Sequence, residues 1–203
     1  MKKIFKALLI VLIVAFIVSP AKTADQTTVK VTENVCVTVN VVKEKPQEIR
    51  YESLEVPNVN NSFKTWMSYK AVTNKRSPQY NYIHTYGWSD EQGFMRAKAD
   101  EAYEIEQDYY MIALGSYYGT EIGTKYRITL DTGEIFYGVL ADCKNDKHTN
   151  STNQYIPHNG NMVEFLVDKT KLNKDVRKTG NASAYAPLKG NIIKIEKIIF
   201  LNK

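Results

Sequence analysis

Two cysteines, three histidines, two tryptophans and six prolines are few for 203 residues. So few cysteines exclude a disulfide-stapled miniprotein and a cysteine-rich zinc module. No glycine-rich phosphate loop, no G-x-S-x-G and no H-E-x-x-H occurs, so neither cofactor nor metal is expected. Internal repeats and low-complexity tracts are also missing. What remains is ordinary for a folded domain: 43% hydrophobic and 24% charged residues, which excludes wholesale disorder. The length allows one real core and not two large domains. Tyrosine dominates the aromatics, with 14 against 7 phenylalanines, which suits half-buried, wet surfaces.

The N-terminus has secretory signal grammar. Lys2, Lys3 and Lys6 precede an unbroken apolar run of twelve residues, Ala7 to Val18, and Ser19-Pro20-Ala21 supplies small residues for cleavage. The run is short for a membrane span of about 20 residues. A cleaved leader at 1–21 is expected, and an uncleaved anchor is the alternative and the one route to a membrane. The formal charge of +5 then resides largely in three leader lysines. A nucleic-acid partner loses its electrostatic support, and none is expected. Export permits a Cys36–Cys143 disulfide, which would close a loop of roughly a hundred residues for a nominal ~4–5 kcal/mol. Two free thiols remain equally open.

Organisation is expected in four parts: leader 1–21, N-terminal strand and linker 22–61, aromatic-rich arm 62–108 and a β domain 109–203. Val29 to Val42 alternates as a strand, with a second near Ile49 to Leu54. Ser62 to Tyr86 carries Phe63, Trp66, Tyr69, Tyr80, Tyr82 and Tyr86 without a period, and reads as an extended arm. Asp90 as N-cap and three alanines predict a helix over 92–106, with a hairpin as the alternative because Gly93 opposes the first turn. From Tyr109 strands are expected at 109–114, 126–130, 135–141, 162–167 and 191–201. The Asp131-Thr132-Gly133 turn joins the second to the third. A short helix or turn falls over 172–184. A bulge is placed at Glu196-Lys197, where alternation breaks.

The densest polar cluster is the loop from Asp142 to Gly160. Asp142 is the first polar residue after an apolar strand, where partial desolvation makes a carboxyl a usable proton donor. A turn aspartate holding backbone amides is the plainer alternative. Glu164 lies opposite the inward triad Val163, Phe165 and Val167, and two carboxylates flanking a sugar can cleave a glycosidic bond. His148 and His158, with Asp142 and Asp146, offer a weaker metal-hydrolase reading whose spacing fits no zinc motif. Cys143 has no cysteine-hydrolase signature around it.

Segments 112–119 (IALGSYYG), 122–133 (IGTKYRITLDTG), 139–142 (VLAD) and 159–168 (NGNMVEFLVD) resemble double-psi β-barrel domains. The nearest versions are the 3D domains of bacterial wall proteins, akin in fold to the lytic transglycosylase A and rare-lipoprotein-A barrels and to expansins. The loop also resembles a D-x-K-x-D-x-H-T-x-S-T-N-x-Y form in exported proteins of Gram-positive bacteria. The short D-T-G-G turn of 3D domains is replaced here by the loop 143–160. The resemblance implies a mainly β, six-stranded double-psi barrel with an extended N-terminal extension and one or two short helices. It implies Asp142 and Glu164 as catalytic carboxylates, with Lys144, Asp146, His148, Asn153, Tyr155 and Tyr117 binding substrate. The expected partner is peptidoglycan or another cell-wall glycan. A non-catalytic wall-binding or protein-interaction module is the alternative.

Overall fold

The computed structural model describes residues 48–59 and 64–201. The chain divides into units Met1–Lys45 and Pro46–Lys203, and all described residues belong to the second. The leader, the strand expected over 29–42, Cys36 and Phe63 lie outside the described residues.

Among the described residues nine strands form one mixed sheet: β1 (Glu48–Leu54), β2 (Lys64–Ser68), β3 (Trp88–Ser89), β4 (Met95–Ala97), β5 (Tyr109–Leu114), β6 (Lys125–Leu130), β7 (Ile135–Cys143), β8 (Val163–Val167) and β9 (Ile192–Leu201). Two short α-helices accompany them there, α1 (Pro78–Tyr86) and α2 (Lys174–Thr179). The main order is β1-β9-β6-β7-β5-β4-β3, and the C-terminal half of β5 takes β8, which in turn takes β2. The mainly β expectation holds. The sheet is nonetheless not the expected closed six-stranded barrel, because β1 and β2 lie at opposite ends of the pairing path.

β5 is apolar throughout and central, with parallel β7 on one edge and antiparallel β4 and β8 sharing the other, and a hydrophobic core covers each of its faces. Its residues divide by parity. Tyr110, Ile112 and Leu114 enter a first core with Tyr126, Ile128, Leu130, Phe165 and Val167. Tyr109, Met111 and Ala113 enter a second core with Val139, Ala141, Leu166 and Ile198. Val176 of α2 and Leu188 close the first core, while Ile83 of α1 and Ile105 close the second. Each fully buried aliphatic or aromatic side chain contributes about 1.5–3 kcal/mol, so the two faces together dominate stability.

Three local expectations are corrected. Part of the arm is helical: Pro78 opens α1, Ser77 accepts from the Tyr80 N–H, and Gly87 follows the helix. A Cβ on Gly87 would come within 2.4 Å of the Ile83 carbonyl oxygen and 2.8 Å of Met111 Cε. The helix expected over 92–106 is absent: the alternative, a hairpin, forms between β3 and β4, and beyond it Glu101–Tyr103 makes a single 3-10 turn. The hairpin turn forms because the Asp90 carboxylate accepts from the N–H groups of Gln92 and Phe94, and Gly93 takes φ +85. The irregularity in β9 lies at Ile193, where pairing with β6 slips between Lys194 and Ile192, and not at Glu196-Lys197. Glu196 stays in register because Arg127 and Lys194 neutralise it.

Candidate functional site

A bulge in β7 builds the site. Up to Ala141 the strand alternates, with Phe136 and Leu140 in the first core and Val139 and Ala141 in the second. Unbroken alternation would send Asp142 to the first face. Instead Ile112 stands opposite Leu140 while Ala113 stands opposite Asp142, which leaves Ala141 as the extra residue. Such an insertion re-aims the next side chain. Asp142 joins Ala113 on the second face, and Cys143 turns back to pack on the first core.

Ala113 is also opposite Glu164 on β8, and Glu164 is opposite Thr65 on β2. Thr65, Glu164, Ala113 and Asp142 therefore form one row across four strands, with a methyl group between the two carboxylates. Lys144 lies two residues beyond Asp142 and returns to that face, its backbone N–H held by the Leu114 carbonyl at 2.8 Å. Its side chain is 2% exposed, and Nζ lies 3.5 Å from Glu164 Oε2 without a hydrogen bond. The Thr65 hydroxyl donates to Glu164 Oε1 at 3.4 Å.

These neighbours set the electrostatics. Burial pushes the Asp142 carboxyl above the usual carboxylate range, and the Glu164 charge adds to that. The Cys143 N–H, donating to Asp142 Oδ1 at 2.9 Å, and the Lys144 ammonium oppose the rise. Burial also lowers Lys144, against the pull of Glu164 and Asp142. Asp142 thus retains its proton more tightly, while Glu164 lies at ion-pair distance from Lys144.

The other expected site residues lie on the adjoining loop. Asp146 and His148 occupy an exposed single turn, Asp146–His148, capped by Asn145. His158 is exposed as well. Among the described residues no three His, Cys, Asp or Glu side chains gather as a metal site. Asn153 takes φ +56, accepts from the Thr149 hydroxyl at 2.8 Å and receives the Tyr117 N–H on its carbonyl. The loop presses on the chain there, since a Cβ on Gly115 would lie 1.9 Å from the Asn153 carbonyl oxygen. Tyr155 packs against the first core, its N–H and that of Gln154 held by Asn150 Oδ1. The Tyr117 side chain is exposed at the loop's edge. Cys143 has no disulfide partner among the described residues, and burial raises its thiol.

The structure therefore brings Asp142, Glu164 and Lys144 together and places Asp146, His148, Asn153, Tyr155 and Tyr117 on or beside the neighbouring loop. Sequence reasoning missed Thr65, Ala113 and the bulge residue Ala141. Of the aromatics, Trp66 donates to the Val176 carbonyl and Tyr80 stacks on His84, whereas Tyr86 and Trp88 remain exposed. No protein-family model, no curated protein and no solved structure matches the chain.

Proposed function

We propose that the protein is exported and acts on the bacterial cell wall, cleaving peptidoglycan glycan strands by the lytic transglycosylase route with Asp142 as general acid. The observation that carries this reading is the row Glu164–Ala113–Asp142, in which two carboxyl groups of unlike environment face the same side. The resemblance to double-psi barrel domains enters through the residues of that row and not through barrel closure. Export rests on the leader grammar of residues 1–21. Among the described residues no helix is long and apolar enough to cross a membrane.

In this mechanism Asp142 passes its proton to the glycosidic oxygen as the bond to the anomeric carbon breaks. Glu164 faces the positive charge that develops on the sugar ring. The sugar's own 6-hydroxyl then bonds to that carbon, giving an anhydro ring. Its proton returns to the Asp142 carboxylate, so no water is consumed.

A second reading, wall binding without catalysis, draws on the exposed side chains of Tyr86 and Trp88, aromatic groups of the kind that stack on sugars. Purified wall and purified protein separate the two. The catalytic reading expects soluble muropeptides from wild type and none from Asp142→Asn. Co-sedimentation with insoluble wall that survives Asp142→Asn, with no release by folded wild type, overturns it in favour of binding.

A further inference from the structure

We propose that Lys70, the turn 169–171 and helix α2 form a basic docking surface for an anionic, phosphodiester-linked polymer of the cell wall. The wall as the source of that polymer rests on the proposed function; the capacity of the surface to hold a chain of phosphodiesters does not.

Charge is segregated along the chain. The described residues carry nineteen lysines and arginines against nineteen acids. Between Lys169 and Lys178 five cations meet one acid, Asp175, whereas residues 90–108 hold seven acids and two cations. The ion pairs among the described residues all use other cations, so Lys70, Lys169, Lys171, Lys174, Arg177 and Lys178 have no carboxylate partner there.

The fold gathers these six. β2 and β8 run parallel with Ser68 opposite Val167, so Lys70 and Lys169, each two residues further on, leave the sheet at the same end. The charges of Lys70 and Lys171 both reach Asp168, whose carboxyl is already held below its ordinary range first by the Thr170 hydroxyl. Trp66 donates to the Val176 carbonyl and Val176 enters the first core, which seats α2 beside β2. With Val176 inward, Lys174, Arg177 and Lys178 are exposed at i, i+3 and i+4 spacing on one face.

That pattern works against the helix, because Lys174 and Lys178 repel across one turn. A local rule broken without compensation inside the fold marks a surface that meets its partner outside it. The partner suited to it is a hydrated polyanion and not a bilayer. Leu172 and Val176 are buried, and none of the exposed large apolar side chains among the described residues lies within 168–178 to enter lipid. Glu164 lies four residues before Asp168 on β8, on the order of 13 Å, so a polymer held here keeps the carboxyl row close to the wall.

Co-sedimentation of the full chain with purified wall tests this, before and after phosphodiesters are removed with hydrofluoric acid. If four phosphates are neutralised, wild type should lose about fiftyfold in affinity for untreated wall between 50 and 200 mM salt. Stripped wall should bind it at least about tenfold more weakly, and Lys174→Gln/Lys178→Gln should lose a similar factor on untreated wall. Arg50→Gln/Lys98→Gln removes the same charge elsewhere and should bind as wild type does. All four residues are exposed, and thermal midpoints check that both variants fold. Unchanged binding to stripped wall, or equal loss in the two variants, overturns the proposal. Tighter binding of a single-stranded oligonucleotide than of the extracted wall polymer also overturns it. Binding that depends on α2, without muropeptide release, keeps the proposal and removes the enzymatic reading. Release without such binding does the reverse.

Discussion

Glu196 and Asp142 are both acids set into the sheet, and their surroundings give them opposite characters. Glu196 is 4% exposed and holds two cations: Arg127 Nη2 at 2.7 Å and Lys194 Nζ at 2.6 Å. Those partners outweigh burial and keep its carboxyl below the ordinary range. Asp142 has a backbone N–H, a nearby carboxylate and a lysine that is committed to that carboxylate. Burial wins there, and its carboxyl rises. A carboxylate with its own cations is a fastener. One left next to another carboxylate retains a transferable proton at the cost of stability.

That contrast can be broken or sharpened by substitution. Asp142→Asn should have the largest effect, lowering muropeptide release at least ~100-fold, as loss of a general acid does. The same change should raise the thermal midpoint at neutral pH. An acid with a raised folded-state value destabilises the native state above that value, and the asparagine removes the penalty. Calorimetry at pH 7 checks it, and a lowered midpoint would speak against a strained carboxylate.

Ala113→Leu comes next. It wedges a branched side chain between the carboxylates and should lower release about tenfold while costing about 1–3 kcal/mol by overpacking, measured by urea unfolding. Glu196→Gln should cost about 0.5–1 kcal/mol, because Arg127 and Lys194 are partly solvated and screened. Release should stay at the wild-type level. Acid sensitivity should also shrink: the stability from a depressed carboxyl is present above its unfolded value and lost as pH falls through the folded one.

The smallest effect belongs to Lys64. Its buried ammonium donates to the Gly190 carbonyl, and burial lowers it to about 8 against the pull of Asp131. Between about 8 and the ordinary 10.5 the unfolded chain binds more protons, so stability should rise with pH across that window. Lys64→Met should flatten that rise, read by urea unfolding at pH 7 and pH 10, and leave muropeptide release unchanged.

The strands after Tyr109 were legible because a two-residue period was visible: Tyr126, Ile128 and Leu130 alternate, and Gly133 takes the expected φ +87. Helix α1 was not, since Ile83 is its one buried residue and its signal was confined to the Ser77-Pro78 cap. The helix expected over 92–106 failed because local propensity there yields to a side-chain-held turn at Asp90 and to the packing of Phe94. At the site, Asp142 and Glu164 stood out as residue types at a strand end and on a polar strand face. Their common row depends on a bulge, and an inserted residue leaves no mark in apolar Val139-Leu140-Ala141. Thr65 was invisible because parallel pairing joins it to a residue 99 positions away. Lys144 was expected to bind substrate from the loop, and the return of the chain to β5 buries it beside Glu164 instead.

The most direct measurement is the mass of the sugar ends released when purified wall is incubated with the full chain. Wild type should give anhydro ends, lighter by one water than hydrolysed ends, and Asp142→Asn should give none. Intact wall after incubation with folded wild type, or equal release by Asp142→Asn, would contradict Asp142 as the acid of a wall-cleaving enzyme.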